Sequence, residues 1–133
     1  MVSDAVTLFS QNQVPFAVRG GGYMALANAA NIGPEGILIA NTNFTTLSIS
    51  NDRSSVKIGA GIKWPAVYSY LDEFKVAVNG IRIGDVGVVG FLIGGGIGFH
   101  SYEYGMASTY INYFDVCDPN LLLTLQLTVS SVS

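Results

Sequence analysis

At 133 residues the chain has the length of one domain with a single hydrophobic core. Half of its residues are hydrophobic and only 11% are charged, against roughly 25% in an average soluble domain, so a missing domain or an oligomeric partner is expected to cover part of the surface. The six Lys and Arg are scattered singly in a chain of net charge −3, which excludes a basic stripe for nucleic acid; the uncharged run between Val86 and Glu103 is too rich in glycine for the ~20 apolar residues that span a bilayer.

In chain order, Ser3 reads as an N-cap for a short amphipathic helix carried by Ala5, Val6, Leu8 and Phe9 and running to about Gln13. No secretory signal precedes it in this chain, because MVSDAVTLFS has neither a basic start nor an apolar run, and the compartment stays open. After Pro15, Phe16-Ala17-Val18 predicts a strand that runs into Arg19-Gly20-Gly21-Gly22. The apolar run Gly36 to Ala40 predicts a strand buried on both faces. Alternation at Leu47 and Ile49, then at Val56 and Ile58, with Asn51-Asp52 between, predicts a hairpin. Trp64, Val67, Tyr68 and Leu71 lie on one helical face starting near Pro65. Val76 to Val78 predicts another strand, Asn79 to Gly98 a glycine loop, and Tyr110 to Val116 a further strand. The lone Cys117 has no disulfide partner and no metal-ligand spacing around it, and is assigned no role. Leu121 to Val129 carries no charge and reads as an adhesive strand without neighbours, which would make the chain self-associate through that segment. The whole is α/β or α+β, with glycine loops at strand ends.

Two of these loops carry chemistry. A dinucleotide pyrophosphate needs backbone N–H donors at close range, and glycines after a strand provide them because no side chain stands in the way. Arg19-Gly20-Gly21-Gly22 has that placement, although a lone triple glycine is more often an ordinary turn. Gly20-Gly21-Gly22-Tyr23-Met24-Ala25 also fits the nicotinamide-binding G-x-G-x-x-A pattern, but the next strand ends in Asn41 where an acidic residue is wanted. The second loop, Gly84-Asp85-Val86-Gly87-Val88-Val89-Gly90 followed by Gly94-Gly95-Gly96-Ile97-Gly98 and Tyr104-Gly105, has no place in that scheme.

Together, PFAVRGGGY, GAGIKWPAVYSYL and GDVGVVGFLIGGGIGFHSYEYG resemble the FAD-binding domain of the vanillyl-alcohol oxidase or p-cresol methylhydroxylase (PCMH) type, and within it the fungal berberine-bridge-like FAD-linked oxidases. The resemblance covers roughly Ser3 to Asp115. It implies an α+β, PCMH-type fold with mixed sheets and flanking helices, a partial FAD-binding domain over 3–118, and a divergent apolar tail over 119–133. It further implies FAD as cofactor, with Arg19, Gly20, Gly21, Gly22, Tyr23, Ile83, Asp85, Val86, Gly87, Gly90, Phe91, Gly94, Gly95, Gly96, Gly98 and Tyr104 around it. Such proteins oxidise a small organic substrate by hydride transfer to flavin and pass the electrons to dioxygen.

Several residues depart from the family's pattern. The histidine and the cysteine through which relatives attach flavin are replaced by Tyr23 and Ile83, so the resemblance implies noncovalent FAD here. His100 stands at an apolar position of the pattern and is given no catalytic role. The strand preceding the first helix and the substrate domain with its catalytic base are absent, so the chain reads as truncated at both ends; an inactive fragment is the rival expectation, and FAD and a missing substrate domain or oligomeric partner are the implied partners.

Overall fold

A computed structural model describes residues 2–116 and, as backbone, 126–130; the expectation for Cys117 lies outside the described residues. The first helix, α1, is Val2–Gln11, so Ser3 lies within the first turn instead of capping it. Its end is a Schellman motif: Gln13 takes a left-handed φ of 54° while the Gln13 and Val14 amides donate to the carbonyls of Ser10 and Phe9 at 3.2 and 2.9 Å. The chain then forms β1 (Phe16–Arg19), which pairs in parallel with β2 (Ile37–Ala40), Phe16 against Ile37 and Arg19 against Ala40. β2 is not buried on both faces as its apolar run suggests: among the described residues β1 is its strand partner, and Ile37 is exposed. No helix follows β1. Residues 20–25 run through a bend and irregular backbone, which removes the nicotinamide-binding reading, since that fingerprint needs a helix opening within the glycine loop.

The expected hairpin is present as β3 (Leu47–Ile49) against β4 (Ser55–Gly59), with Leu47 opposite Ile58. Its turn is fixed by the Asp52 carboxylate, which accepts hydrogen bonds from Ser50 Oγ at 2.6 Å and from the Ser54 amide at 3.1 Å. These bonds, the Ser50 hydroxyl first, pull the Asp52 carboxyl down to about 2. Next comes α2 (Trp64–Asp72), with Pro65 in its first turn, where the missing N–H costs nothing. Trp64, Val67 and Leu71 are buried at the predicted helical spacing and pack with Val56 and Ile58 of β4 in one core.

A second Schellman motif ends α2. Lys75 has φ 57°, and the Lys75 and Val76 amides donate to Asp72 and Leu71 carbonyls at 3.1 and 3.4 Å. An L-residue there carries a penalty of about 1–2 kcal/mol that glycine escapes. Lys75→Gly is therefore expected to raise unfolding stability by about 1 kcal/mol, because the Lys75–Asp72 ion pair it removes is exposed and contributes little. Denaturant melts of the two proteins check this; a Lys75→Gly variant no more stable than its parent overturns it.

Among the described residues no strand spans 76–78 as the sequence pattern suggests; Ala77 makes a lone β-bridge, and Val78 spends its apolar side chain in the core. The glycine-rich segment is not wholly loop either. Between Gly87 and Gly94 the run VVGFLI forms α3 (Val88–Ile93), burying Val88 and Leu92 one helical turn apart, and α4 (Ser101–Tyr104) follows. Then come β5 (Ile111–Phe114) and β6 (Gln126–Ser130). The larger sheet has the order β3-β4-β6-β5, and its pairs are all antiparallel. Residues 126–130 are therefore not the unpartnered strand expected from their composition. β6 pairs with β4 on one side, Val56 against Val129, and with β5 on the other, so the predicted self-association through an open edge of this strand loses its basis.

Candidate functional site

Three stretches of backbone meet beyond the end of β1. The first is Gly20–Gly22, the continuation of that strand. A Cβ built on Gly20 would lie 3.4 Å from the Ala60 carbonyl oxygen, and Gly22 has φ 70°. The second is 62–64, between β4 and α2. The third is 86–88, leading into α3. The last two pair through the Trp64 amide to the Val86 carbonyl at 3.2 Å and the Val88 amide to the Ile62 carbonyl at 3.0 Å, with Lys63 directly opposite Gly87. In this arrangement the Gly87 amide points away from 62–64.

Gly21 packs against the face of Gly87 itself. A Cβ on Gly87 would fall 2.5 Å from the Gly21 nitrogen and 2.7 Å from its Cα, and a Cβ on Gly21 would fall 2.5 Å from the Gly87 Cα. The two loops thus touch backbone to backbone, far closer than any side chain permits. Backbone from two distant parts of the chain is thereby brought into direct contact, with Gly87 buried and Gly21 partly exposed. Beside it Lys63 Nζ forms an ion pair with Asp85, both side chains reaching solvent. Tyr68 of α2 secures the approach to the second loop: its hydroxyl donates to the Ile81 carbonyl at 2.7 Å, and burial pushes the phenol up to about 12, so it remains a donor.

Of the residues singled out in the sequence, Arg19, Gly20, Gly21, Gly22, Asp85, Val86 and Gly87 belong to this junction or its immediate flanks. Val86 is buried, and its carbonyl anchors Trp64. Tyr23 and Ile83 are each half exposed, at 50%. Gly90 has open space where a Cβ would stand, and Phe91 packs edge-on against Trp64 with ring centroids 5.3 Å apart.

Gly94, Gly95, Gly96 and Gly98 have local structural work. The Gly94 and Gly95 amides donate to Gly90 and Leu92 carbonyls at 3.2 and 3.0 Å and close the end of α3. Gly95 and Gly96 have φ of 94° and 73°, and their carbonyls accept from Ser108 and Ala107 at 3.0 and 2.8 Å. Gly98 donates to Ser101 Oγ at 2.8 Å. Tyr104 is half-buried, with its carbonyl held by Tyr110 Oη at 3.0 Å and its ring edge-on to exposed His100.

Sequence reasoning missed the pairing of 62–64 with 86–88, which has no local signal, and it missed Asn79. That residue is 2% exposed and makes side-chain hydrogen bonds with His100, Ser101 and Gly105. A polar residue closing the apolar run Val76-Ala77-Val78 is the signal that pointed to it. Among the described residues no helix is long and apolar enough to cross a membrane.

The sequence model of the FAD binding domain family matches residues 1–120. The chain belongs to this FAD-binding-domain family. Among curated relatives, an FAD-dependent monooxygenase of Arthrobotrys oligospora is 40% identical over 115 residues, covering 86% of this chain and 22% of its own length. The FAD-dependent monooxygenase yanF of Aspergillus niger is 37% identical over 119 residues, covering 90% of this chain and 20% of its own. The chain thus spans about a fifth of the curated relatives it matches. Among solved structures, wild-type BBE-like 1 of Physcomitrella patens superposes with a TM-score of 0.86 at 22% identity over 98% of this chain and 34% of that one. The 6-hydroxy-D-nicotine oxidase of Arthrobacter nicotinovorans gives 0.85 at 22% identity, again over 98% and 34%. The expected PCMH-type, berberine-bridge-like fold is therefore the fold of this FAD-binding domain, and FAD is the ligand its family is defined by.

Proposed function

We propose that the junction of Gly20–Tyr23 with Asp85–Gly87 holds the pyrophosphate of FAD, and that the longer protein of which this domain is characteristic is a flavin-linked oxidoreductase of small organic substrates. The observation that carries the reading is the Gly21–Gly87 contact, which brings the two glycine loops so close that a Cβ on either would strike the other's backbone. When bound, FAD supplies a hydride acceptor and a route for electrons to dioxygen. The protein's own part is positional. β1 and the 62–64 pairing fix the two loops, Arg19 brings positive charge to the first, and Lys63 offsets the negative charge of Asp85 at the second. Gly94, Gly95, Gly96 and Gly98 shape the end of α3 beyond the phosphates, and Tyr23, Ile83, Gly90, Phe91 and Tyr104 flank the rest of the cofactor. Purified protein that stays colourless after incubation with FAD would favour the rival reading of a fragment without function.

FAD is held without a covalent bond, since Tyr23 and Ile83 occupy the two positions at which relatives attach it. Denaturing the loaded protein in acid is expected to leave the flavin in the soluble fraction, and yellow colour that travels with the polypeptide overturns this. The names of the curated relatives favour a second reading, oxygen insertion in place of simple oxidation. Turnover of the full-length protein in isotopically labelled dioxygen separates the two, because only a monooxygenase places the label in its organic product.

A further inference from the structure

The segment from Ile97 to Met106 is an excursion with pinned feet. On one side Gly95 and Gly96 offer their carbonyls, and on the other the Ser108 and Ala107 amides take them, at 3.0 and 2.8 Å. The excursion carries exposed Ile97, Phe99, Tyr102 and Met106, so little apolar burial of its own holds it in shape. Beside the Ser101 hydroxyl, which accepts from the Gly98 amide, and the Tyr110 hydroxyl, which donates to the Tyr104 carbonyl, its middle is held by the side chain of Asn79 at three points. Asn79 Oδ1 accepts from the His100 amide at 3.2 Å, and Asn79 Nδ2 donates to the Gly105 carbonyl at 2.8 Å and to Ser101 Oγ at 3.3 Å. The neighbouring Gly80 carbonyl accepts from the Phe99 amide at 3.1 Å. Gly98 is glycine because a Cβ there would stand 2.5 Å from that Gly80 oxygen.

We propose that Asn79 is a positioning residue for flavin binding: it latches the 98–105 excursion so that Tyr104 is presented to the cofactor at a fixed place. The proposal rests on the FAD reading above. The chemistry requires a carboxamide, which carries an acceptor and a donor on one short planar group. Aspartate keeps the acceptor for His100 and loses the donor for Gly105 and Ser101. Alanine loses both, and the His100 amide and Gly105 carbonyl lose their partner. Glutamine adds a methylene in a place that is 2% exposed.

The test measures FAD affinity by titration, and amide hydrogen exchange along the chain, for the parent and for Asn79→Ala, Asn79→Asp and Val67→Ala. Val67 is buried on α2 among core residues, so its truncation lowers stability without touching the latch. Asn79→Ala is expected to raise the FAD dissociation constant at least tenfold and to speed exchange at 98–105 while the β3–β4 hairpin and α2 stay protected. Asn79→Asp should fall between Asn79→Ala and the parent. Val67→Ala should lower the melting temperature at least as much yet keep FAD affinity within about twofold. Equal affinity losses in Asn79→Ala and Val67→Ala, or an Asn79→Ala protein that binds FAD normally, overturn the proposal. A parent chain that binds no FAD overturns the FAD reading itself, and the exchange data then report separately whether Asn79 latches the excursion.

Discussion

Gly21→Val is expected to weaken FAD binding by on the order of 100-fold, about 2.7 kcal/mol, while His100→Ala leaves it within about threefold. The reason differs from the simple one that a side chain would obstruct the phosphates. A Cβ at Gly21 runs first into the Gly87 backbone, and backbone cannot rotate away as a side chain can. The two loops must separate. Gly87→Val meets the same obstacle from the other side and is expected to match Gly21→Val. Gly95→Val acts elsewhere. It forces a β-branched residue to φ 94° and against Met106, so its loss comes through the end of α3. His100 is exposed, and its backbone amide, not its ring, is what Asn79 holds. Titrations of the four variants, each with a thermal melt to confirm folding, decide the matter. If His100→Ala loses as much affinity as Gly21→Val, the phosphate site is not at the glycine junction.

The largest expected effect on stability is at Trp64. Its side chain is wholly buried, stacks on Tyr68 at 5.6 Å, meets Phe91 edge-on, and presses against Gly80, where no Cβ would fit. It joins α2, α3 and the backbone at Gly80 between them. Truncating such a residue removes its transfer free energy and leaves a cavity, typically about 3–5 kcal/mol for an aromatic. For a domain whose total stability is of the usual size, roughly 5–15 kcal/mol, Trp64→Ala is expected to approach unfolding. Trp64→Phe should be much milder. The indole N–H finds no partner among the described residues, so phenylalanine gives up volume but no hydrogen bond. Chemical denaturation separates these outcomes; a Trp64→Ala loss under about 1.5 kcal/mol, the size of a tolerated core swap, would show that the core closes without it.

Two elements are legible from one stretch of chain each. Turn chemistry at Asn51-Asp52 and alternation on either side give the hairpin, and the spacing of Trp64, Val67 and Leu71 gives α2. The family resemblance was legible because its motifs are contiguous glycine signatures in order. What was not legible depended on partners distant in the chain. β2 and β6 were judged on their own apolarity, but burial and pairing belong to the sheet. Thus Ile37 is exposed despite its apolar run, and β6 is enclosed despite looking bare. Val76 to Val78 has strand composition, but among the described residues its pairing is a lone bridge at Ala77. α3 escaped notice because glycines at both of its ends and inside it mask a six-residue helix. At the candidate site the glycine signatures are visible in the sequence, and the different structural work of each is not. Gly21 and Gly87 make the junction, whereas Gly95 and Gly96 terminate a helix, and no property of glycine in a sequence tells the two apart.

The place of β6 between β4 and β5 also sets an order of events during synthesis. β3 and β4 are neighbours in sequence and can pair within microseconds of emerging, but β4 then presents an open edge from Ser55 to Gly59 until residues 126–130 arrive to meet it. Throughout that interval the glycine junction, α2 and α3 are being made around an incomplete sheet. Closing the sheet means closing a long loop, the slow step in chains dominated by distant contacts. The nascent chain is thus exposed to strand-capturing neighbours while its glycine loops are still forming. A ribosome stalled before residue 126 is expected to hold a hairpin that binds chaperones, and that binding should cease once β6 clears the exit tunnel.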